Sequence, residues 1–396
     1  MLVLFLIVFV DLVGFGIVIP LLPFYGEHYH ATPDQVGLLM AVYSLTQFVA
    51  APFWGRLSDR VGRRPVLLVS LAGLAASYVW LGLAGSLAEL FAARALGGLM
   101  AGNIATAFAY VADVTTPENR ARGMGAVGAA FGLGFIFGPA IGGMLAGADP
   151  ATADFRTPAF AAAGLSGTAL VMALVLLKES LSAEVRARIA GRPRRNRLRQ
   201  FADALALPHV GLLIALSFLA TFVFAGMETT FAMWSRRQFG WGPAQNGYLF
   251  AFVGVISALI QGGLVGRLAR QVGEAWLIVG GAVALALGMV LIPLSTGLGL
   301  LVPAMAVVAF GFSIMSPSLN SLISLQVGEE SQGGVMGVTR SATTLARVLG
   351  PAWAGMLFAA LGRDWPYFGG ALVMAVVVAL GLRARAARGA GAKRHG

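Results

Sequence analysis

Twelve long apolar stretches run through this 396-residue sequence, separated by short polar breaks. A helix that crosses a bilayer needs about 20 predominantly apolar residues, and each stretch meets that length. The stretches therefore predict transmembrane helices. We place the spans at 1–25, 35–55, 66–86, 88–113, 123–146, 158–178, 209–233, 244–266, 275–295, 299–325, 334–361 and 365–383.

The composition supports an all-α membrane protein. Hydrophobic residues make up 58% of the chain and charged residues 11%, whereas about a quarter of a soluble domain is charged. Continuous apolar runs favour helices over barrel strands, which alternate apolar and polar residues. The first ten residues are apolar like the core of a signal peptide, but they lack a basic start, and Asp11 interrupts the run. We interpret them as part of the first span.

Several kinds of chemistry are excluded by the residue types present. The chain has no cysteine and four scattered histidines, so we expect no disulfide, no thiol nucleophile and no metal site. The sequence contains no Walker motif, and its G-x-G runs lie inside spans rather than in phosphate-binding loops. The protein is not expected to be an enzyme or to hold a cofactor.

The basic residues divide unequally between the two sides of the membrane. The formal net charge is +11, from 28 lysines and arginines against 17 acidic residues. If both termini are cytoplasmic, 21 of the 28 lie inside and 4 outside, as the positive-inside rule requires. The other three, Arg94, Arg340 and Arg347, lie within spans.

One long polar segment divides the spans into six and six. We predict a first six-helix bundle at 1–178, a basic cytoplasmic linker at 179–206, a second bundle at 207–384 and a basic tail at 385–396. The linker arginines favour contact with anionic lipid headgroups. Nucleic-acid binding is the weaker alternative.

The two halves carry an internal repeat. GRLSDRVGRR at 55–64 is echoed by GRLARQVGE at 266–274, and GPAIGG at 138–143 is echoed by GPAWAG at 350–355. The offsets are 211 and 212, which indicates duplication of a six-helix unit. Transporters commonly consist of such repeats, with the substrate site near the midplane between them.

Four segments carry a family resemblance. They are DLVGFGIVIPLLP at 11–23, the 55–64 segment, LFAARALGG at 90–98 and GAVGAAFGLGFIFGPAIGG at 125–143. The chain resembles the major facilitator superfamily, in its twelve-span drug:proton antiporter branch, and is similar to the tetracycline-exporter-like group. In the second half, SPSLNSLISLQVGEESQGGVMGV is family-like but weaker.

The resemblance implies a proton-coupled secondary active transporter that exports small amphipathic or cationic compounds by alternating access. The proton is then the coupling ion, and the partners are the small-molecule substrate, protons and membrane lipids, with no nucleic acid. We expect a monomer in the bacterial cytoplasmic membrane. An exporter or flippase of a lipid or metabolite on the same fold is the alternative. A channel or receptor is disfavoured, because the acids are asymmetric and the chain is internally duplicated.

Two acids lie well inside spans, where a carboxylate is costly and usually functional. Asp11 in the first span is a candidate for proton coupling or substrate response, against a purely structural role in helix packing. Glu228 in the seventh span is the second candidate, against a glutamate that reaches water at the edge of the membrane. Both are expected to flank a central cavity and to offer a counter-charge to cationic or zwitterionic substrates.

Other cavity candidates are polar residues inside the spans. Arg94 needs partners for its five hydrogen-bond donors. The resemblance implies that it supports proton transfer. The alternative is an interfacial arginine that reaches the outer headgroups beside Glu89. We also place three amide side chains at the predicted cavity: Asn103, Gln261 and Asn320. Tetracycline exporters carry a histidine four residues before that glutamine, where Ser257 stands here, and an acid in the ninth span that this chain lacks. Tetracycline as the substrate is therefore in doubt.

The 55–64 segment is the candidate gating loop, with Gly55 and Gly62 permitting tight turns. We expect an acid beside the start of the third span to pair with arginine, and Asp113 to pair with Arg64. In the resembling family such contacts latch the cytoplasmic side; plain topology is the alternative. The predicted gating residues are Gly55, Asp59, Arg60, Gly62, Arg63, Arg64 and Asp113.

The fifth span carries glycines four apart, which share a helix face and allow close helix packing. A proline among them removes a helix hydrogen bond and favours a bend. The resemblance implies an antiporter motif that seals the two halves against proton leak. Its residues are Gly125, Gly134, Gly138, Pro139, Gly142 and Gly143.

Overall fold

The structure, a computed structural model, describes residues 2–181 and 208–392. Most of the predicted linker at 179–206 lies outside the described residues. The same holds for the end of the predicted tail, and side chains of the tail from 384 onward are likewise outside the described part.

The described residues form twelve helices that are long and apolar enough to cross a membrane, which confirms the predicted fold class. The first is interrupted by a 3₁₀ turn at Ile19–Leu21, the fourth breaks between Met100 and Asn103, and the eighth contains a π turn at Ile260–Leu264. The helices are α1 Leu2–His28, α2 Pro33–Val61, α3 Arg63–Leu83, α4 Leu87–Val114, α5 Pro117–Ala146, α6 Arg156–Leu176, α7 Pro208–Phe239, α8 Pro243–Val272, α9 Glu274–Leu294, α10 Leu298–Leu325, α11 Glu329–Leu361 and α12 Trp365–Ala392.

Some helices extend past the predicted spans. α7 was predicted to end at 233 but continues to Phe239, so Arg236 and Arg237 lie in its last turn rather than in a loop. α12 continues to Ala392, beyond the predicted end at 383. The apolar pattern marks only the segment inside the bilayer, whereas backbone hydrogen bonding continues the helix into polar sequence.

The repeated segment folds in the same way in both halves. α2 and α3 meet at Gly62, with φ +113°, and α8 and α9 meet at Gly273, with φ +81°. Residues other than glycine rarely adopt these angles. The prediction of a second tight turn at Gly55 is wrong, because Gly55 lies inside α2, which continues through it to Val61.

Side chains close several helix starts. Thr32 and Gln35 form a capping box at the start of α2, and the Ser86 hydroxyl accepts a hydrogen bond from the Glu89 amide at the start of α4. Before α6, Asp154 accepts hydrogen bonds from the amides of Arg156 and Thr157 and from the Thr157 hydroxyl. These bonds, led by the hydroxyl, hold the pKa of the Asp154 carboxyl below its usual range.

The described residues pack into two compact units. The first contains 2–181 together with 232–254, and the second contains 208–231 together with 255–392. In the first unit, α1 packs against α5 and α6, and α3 packs against α6. In the second, α9 packs against α10 and α12.

The repeat is also visible in similar helix contacts inside each unit. In the first unit Gly16 of α1 lies against Gly134 and Gly138 of α5. In the second unit Gly226 of α7 lies against Gly350 of α11. The first and fifth helices of each sequence half therefore approach through glycines, as duplication predicts.

Candidate functional site

Asp11 lies buried in the first unit, with 4% of its surface exposed. The Ser166 hydroxyl on α6 donates a 2.8 Å hydrogen bond to its Oδ1. α1 and α6 come close enough for this bond because Gly14, one turn along α1, packs on the Ala162 backbone. A carboxylate thus lies inside the membrane-spanning part of the unit, where it is held by a neutral hydroxyl.

Arg94 of α4 is also buried, with 4% of its surface exposed. Its guanidinium lies over the Tyr43 ring, 4.3 Å from the ring centre, and its Nε has no hydrogen-bond partner. Gly97 and Gly98 let α2 approach α4 and bring Tyr43 to this place. Tyr43 is within electrostatic reach of both Arg94 and Asp11. A cation and an acid, predicted separately, therefore both interact electrostatically with the same buried tyrosine.

Asn103 begins the second segment of α4, after the break at 101–102. Its side chain lies outside the described residues, so its predicted place in the cavity stays a prediction. Glu89, considered as a partner of Arg94, instead accepts a hydrogen bond from the Gly85 amide. That bond belongs to the start of α4.

The second unit contains a cavity of about 310 Å³ between α7, α10 and α11. Asn320 lines it, as predicted from the sequence. Arg340 and Arg347 line it as well. The sequence alone places these two arginines within a span but not at a cavity. The polar lining residues are Ser217, Thr221, Ser316, Asn320, Thr339, Arg340, Thr343 and Arg347. The apolar lining residues are Ala220, Phe312, Leu319 and Met336.

Glu228 lies on α7, seven residues after Thr221 and therefore on the same helix face. Arg347 is within its electrostatic reach. Because α7 continues to Phe239, Glu228 lies well inside that helix. The alternative of a glutamate that reaches water at the edge of the membrane stays a prediction. Gln261 lies in the π turn of α8, is exposed, and is not among the residues that line the cavity.

The gating residues form an ion-pair cluster around Arg63. Its Nε donates to Asp113 Oδ2 at 3.0 Å, and its Nη1 donates to Asp59 Oδ1 at 2.6 Å and to Ser58 Oγ at 2.8 Å. Arg63 is 5% exposed. The predicted pairing of Asp113 with Arg64 is wrong. Successive helical residues point about 100° apart, so only Arg63 faces Asp113, and Arg64 donates to the Leu174 carbonyl.

The acid at the start of α3 is Glu179 rather than Asp59. Its carboxylate accepts hydrogen bonds from the amides of Arg63, at 2.8 Å, and Arg64, at 3.1 Å. Negative charge at a helix N-terminus is stabilised by the helix dipole. Asp59 lies in the last turn of α2, and Arg60 is exposed beside it. The junction is therefore held by Glu179 from beyond α6, which no pattern near 55–64 could predict.

The glycines of α5 divide into three groups by what they contact. Gly134, Gly138 and Gly142 lie against α1, where an added Cβ at Gly138 would stand 2.5 Å from the Gly16 Cα. Gly143 lies against the start of α8, where an added Cβ would stand 2.8 Å from the Pro243 carbonyl. Gly125 faces open space, so it lies outside the packed stripe.

Pro139 adds a contact on the side of α5 that faces α8. Its carbonyl lies so close to Gly247 that no side chain fits there. The Phe135 carbonyl, one turn earlier, lies in the same way against Gly254. Two helix faces of α5 thus make backbone contact, one with α1 and one with the first half of α8.

Sequence reasoning missed an ion pair that joins distant parts of the chain. Arg236 Nη1 contacts Glu27 Oε2 at 2.8 Å, and Arg237 Nη2 lies 3.8 Å from Glu27 Oε1. Tyr43 and Ser166 were missed too, since neither stands out in an apolar helix. A signal did exist for Arg340 and Arg347, because charges seven apart in a span share a face.

Comparisons with known proteins agree with this architecture. The sequence profile of the Major Facilitator Superfamily matches residues 4–351. The chain belongs to the Major Facilitator Superfamily. It is 34% identical over 360 residues to the tetracycline resistance protein, class C, of Escherichia coli, covering 90% of this chain and 88% of that protein. It is 31% identical over 379 residues to multidrug resistance protein 2 of Bacillus subtilis (strain 168), covering 95% and 92%.

A solved structure of similar shape is the human organic anion transporter MFSD10 (TETRAN). It superimposes with a TM-score of 0.73 at 27% identity, covering 96% of this chain and 98% of that one. Since this superfamily and these relatives consist of transporters, the chain is a multi-pass membrane transporter of the drug-exporter type rather than an enzyme.

Proposed function

We propose that this transporter exports small amphipathic compounds and couples their export to proton entry. Membership of the superfamily and similarity to tetracycline and multidrug resistance proteins support drug-type export. Alternating access by two repeated six-helix halves fits the duplication and the similar glycine contacts in both units. Tetracycline is tested as a separate compound, because Ser257 stands where those exporters carry histidine.

The observation that carries proton coupling is the buried carboxylate of Asp11. It lies inside a spanning helix, where an ionised acid is costly and a protonated one is tolerated. The Ser166 hydroxyl donates a hydrogen bond to this carboxylate. Proton uptake and release at Asp11 thus alter the charge acting on Tyr43, which also interacts with Arg94.

Glu228 is the second acid in this proposal. It lies within electrostatic reach of Arg347, which lines the cavity of the second unit. We assign to Glu228 the role of the acid that the ninth span lacks. Normal coupled transport by a Glu228→Gln variant would reject that assignment.

The contacts around Arg63 and along α5 have conformational roles in this proposal. Arg63 bound to Asp59 and Asp113 forms a latch that opens as the transporter changes state. The glycine contacts of α5 with α1 and α8 make a seal against proton leak. Both roles come from the family resemblance, and the buried contacts support them.

The membrane and its orientation also belong to this proposal. We place the protein in the bacterial cytoplasmic membrane as a monomer with both termini inside. The 21 to 4 distribution of basic residues supports this orientation. The linker arginines then lie on the side where anionic headgroups attract them.

The test is substrate-triggered proton movement in proteoliposomes that contain a pH-sensitive dye. The panel contains amphipathic cations, zwitterions, organic anions, tetracyclines and lysolipids. We expect at least one compound to drive a proton signal in the natural protein, and Asp11→Asn to remove that signal. Asp34→Asn is the matched control, because Asp34 lies in the first turn of α2, away from the Asp11 site.

Two outcomes would overturn the proposal. An unchanged proton signal in Asp11→Asn would remove Asp11 from the coupling step. Transport without any proton signal would leave an uncoupled transporter. A response to lysolipids alone would favour the lipid exporter on the same fold.

A further inference from the structure

Arg94 is a buried cation that lies against aromatic side chains rather than against an acid. A charged side chain in a spanning segment is costly and usually serves a substrate or ion pathway. The Arg94 guanidinium lies 4.3 Å from the centre of the Tyr43 ring, and Tyr78 of α3 is also within its electrostatic reach. Arg94 takes part in none of the ion pairs found among the described residues. The groups found to hold it there are therefore two tyrosines.

Helix packing fixes the place of the Tyr43 ring. Tyr43 is 5% exposed, and the Phe15 ring of α1 lies beside it with ring centres 5.3 Å apart. Gly98 of α4 lies so close to the Tyr43 carbonyl that no side chain fits there. Arg94 precedes Gly98 by four residues and so lies on the same face of α4. The backbone contact that joins α2 to α4 thus also brings the ring to the guanidinium.

The same two tyrosines interact with the Asp11 carboxylate. Tyr43 and Tyr78 are each within electrostatic reach of both Asp11 and Arg94. Tyr78 is 3% exposed, so all four titratable groups are buried. They come from four different helices, α1 to α4, and charges buried in this way are little screened by water or salt. A change of charge at Asp11 therefore acts on the groups that hold Arg94.

A ring and a carboxylate hold an arginine in different ways. Breaking a buried ion pair by removing one charge is strongly destabilising. An arginine paired with the acid that carries the proton would therefore lose its partner whenever that acid is protonated. A tyrosine ring instead attracts a cation through the negative face of its π-system. That face is present whether Asp11 is protonated or ionised, so the ring holds Arg94 in both states.

We propose that Tyr43 is a positioning residue for the coupling step, whose ring face keeps the Arg94 guanidinium in one place while Asp11 gains and loses its proton. The position of this cation then sets the electrostatic environment in which Asp11 binds the proton. Tyr43 itself carries neither the proton nor the transported compound. This inference rests on the proposed proton coupling and adds to it a residue that acts through Arg94.

The first measurement tests the contact between the ring and the cation. Thermal unfolding of the purified full-length protein in detergent is followed for Tyr43→Phe, with none, one, two or three fluorine atoms on the phenylalanine ring. Fluorine withdraws electrons from the ring face and weakens its attraction for a cation, while the ring keeps nearly the same shape. We expect the Tm to fall stepwise with each fluorine atom. In an Arg94→Gln background this trend should vanish, because the cation is absent.

The second measurement follows the proton on Asp11. A protonated carboxyl group has an infrared C=O band that a carboxylate lacks, and the band that disappears in Asp11→Asn belongs to Asp11. This band is titrated with pH in the full-length protein. In Tyr43→Leu the pH midpoint should move by about one unit or more, a tenfold change in proton affinity, because the guanidinium is no longer fixed. Tyr43→Phe keeps the ring face and should restore the natural midpoint.

Two further variants keep the test decisive. Tyr248→Leu is the matched control, because Tyr248 is 54% exposed on α8, and it should leave the Asp11 midpoint unchanged. If Tyr43→Leu does not fold, the midpoint is measured in the trifluorinated form of Tyr43→Phe. That form keeps the shape of the ring but loses most of its attraction for the cation, so the same shift is expected.

The positioning role is overturned if fluorination leaves the Tm unchanged, if it lowers the Tm equally with and without Arg94, or if the Asp11 midpoint does not depend on the ring. Neither measurement needs a transported compound, so this failure is distinct from failure of the proposed function. Substrate-driven proton movement with a midpoint independent of Tyr43 would retain proton coupling and reject the positioning role. A ring-dependent midpoint without any proton signal in proteoliposomes would retain the effect of Tyr43 on Asp11 and reject coupled export.

Discussion

Among single residues, burial decides which of two adjacent arginines forms the important contacts. Arg63 and Arg64 are chemically equivalent in the sequence, yet Arg63 has a buried side chain that bridges Asp59 and Asp113. Arg64 contacts a backbone carbonyl instead. The residue types of this cluster were predictable from the segment, but the pairing was not, because it depends on the rotation of α3 about its axis.

The first prediction contrasts the two arginines. Arg63→Gln leaves the Asp113 and Asp59 carboxylates without their charged partner, and losing hydrogen bonds to a charged group costs about 1.5–3 kcal/mol. We expect a clear fall in the Tm of the detergent-solubilised protein. Arg64→Gln should lower the Tm much less, because it leaves no acid unpaired. Equal losses in the two variants would contradict the assigned pairing.

Among helices, the stripe of glycines on α5 sets how closely α1 can approach. Gly16 and Gly138 meet backbone to backbone. The periodicity of the glycines predicted a close contact but not its partner. Only the packing reveals that α5 presents one face to α1 and another to α8, and that Gly125 belongs to neither face.

The second prediction uses those two environments. Gly138→Ala places a Cβ 2.5 Å from the Gly16 Cα, so the helices must move apart. Such overpacking costs about 1–3 kcal/mol, and we expect a lower Tm.

Gly125→Ala is the control, since no atom stands within 4 Å of its added Cβ. Replacing glycine inside a helix with alanine stabilises by about 0.4–1 kcal/mol where space allows, so the Tm should hold or rise. A fall in Tm of equal size in both variants would show that the α1–α5 contact does not cause the loss of stability.

For the whole molecule, the chain forms two units whose boundaries cross the sequence halves. Residues 232–254 pack with the first unit although they follow the linker in sequence. The ion pair between Glu27 and Arg236 joins positions 209 residues apart inside that unit. Glu27 is 13% exposed and Arg236 39%, so the pair is partly shielded from water.

The third prediction is that this pair contributes to stability through its charges. Glu27→Arg and Arg236→Glu should each lower the Tm, and the double exchange should recover part of the loss. A coupling energy of about 0.5–1 kcal/mol is typical of a partly exposed pair. The same cycle on Arg363 and Asp364, which are adjacent and 3.9 Å apart, is the control and should show almost no coupling. Additive losses at Glu27 and Arg236 would contradict the prediction.

The sequence by itself determined the number of helices, the duplication and the superfamily. Those features depend on the length of the hydrophobic runs and on motifs that are local in the chain. Such local patterns can be recognised without knowing how the helices pack. It also identified Asp11, Arg94 and Glu228, because a charge inside an apolar run is conspicuous wherever the helix lies.

Only the tertiary structure decided which of these groups meet. The Asp11 contact with Ser166, the Arg94 contact with Tyr43, the Glu179 cap on α3 and the two arginines of the cavity each join different helices or loops. A helix presents one face to each neighbour, and that face is set by rotation and packing of the whole bundle. No local pattern encodes it, so the electrostatic character of the cavity emerged from the fold rather than from the motifs.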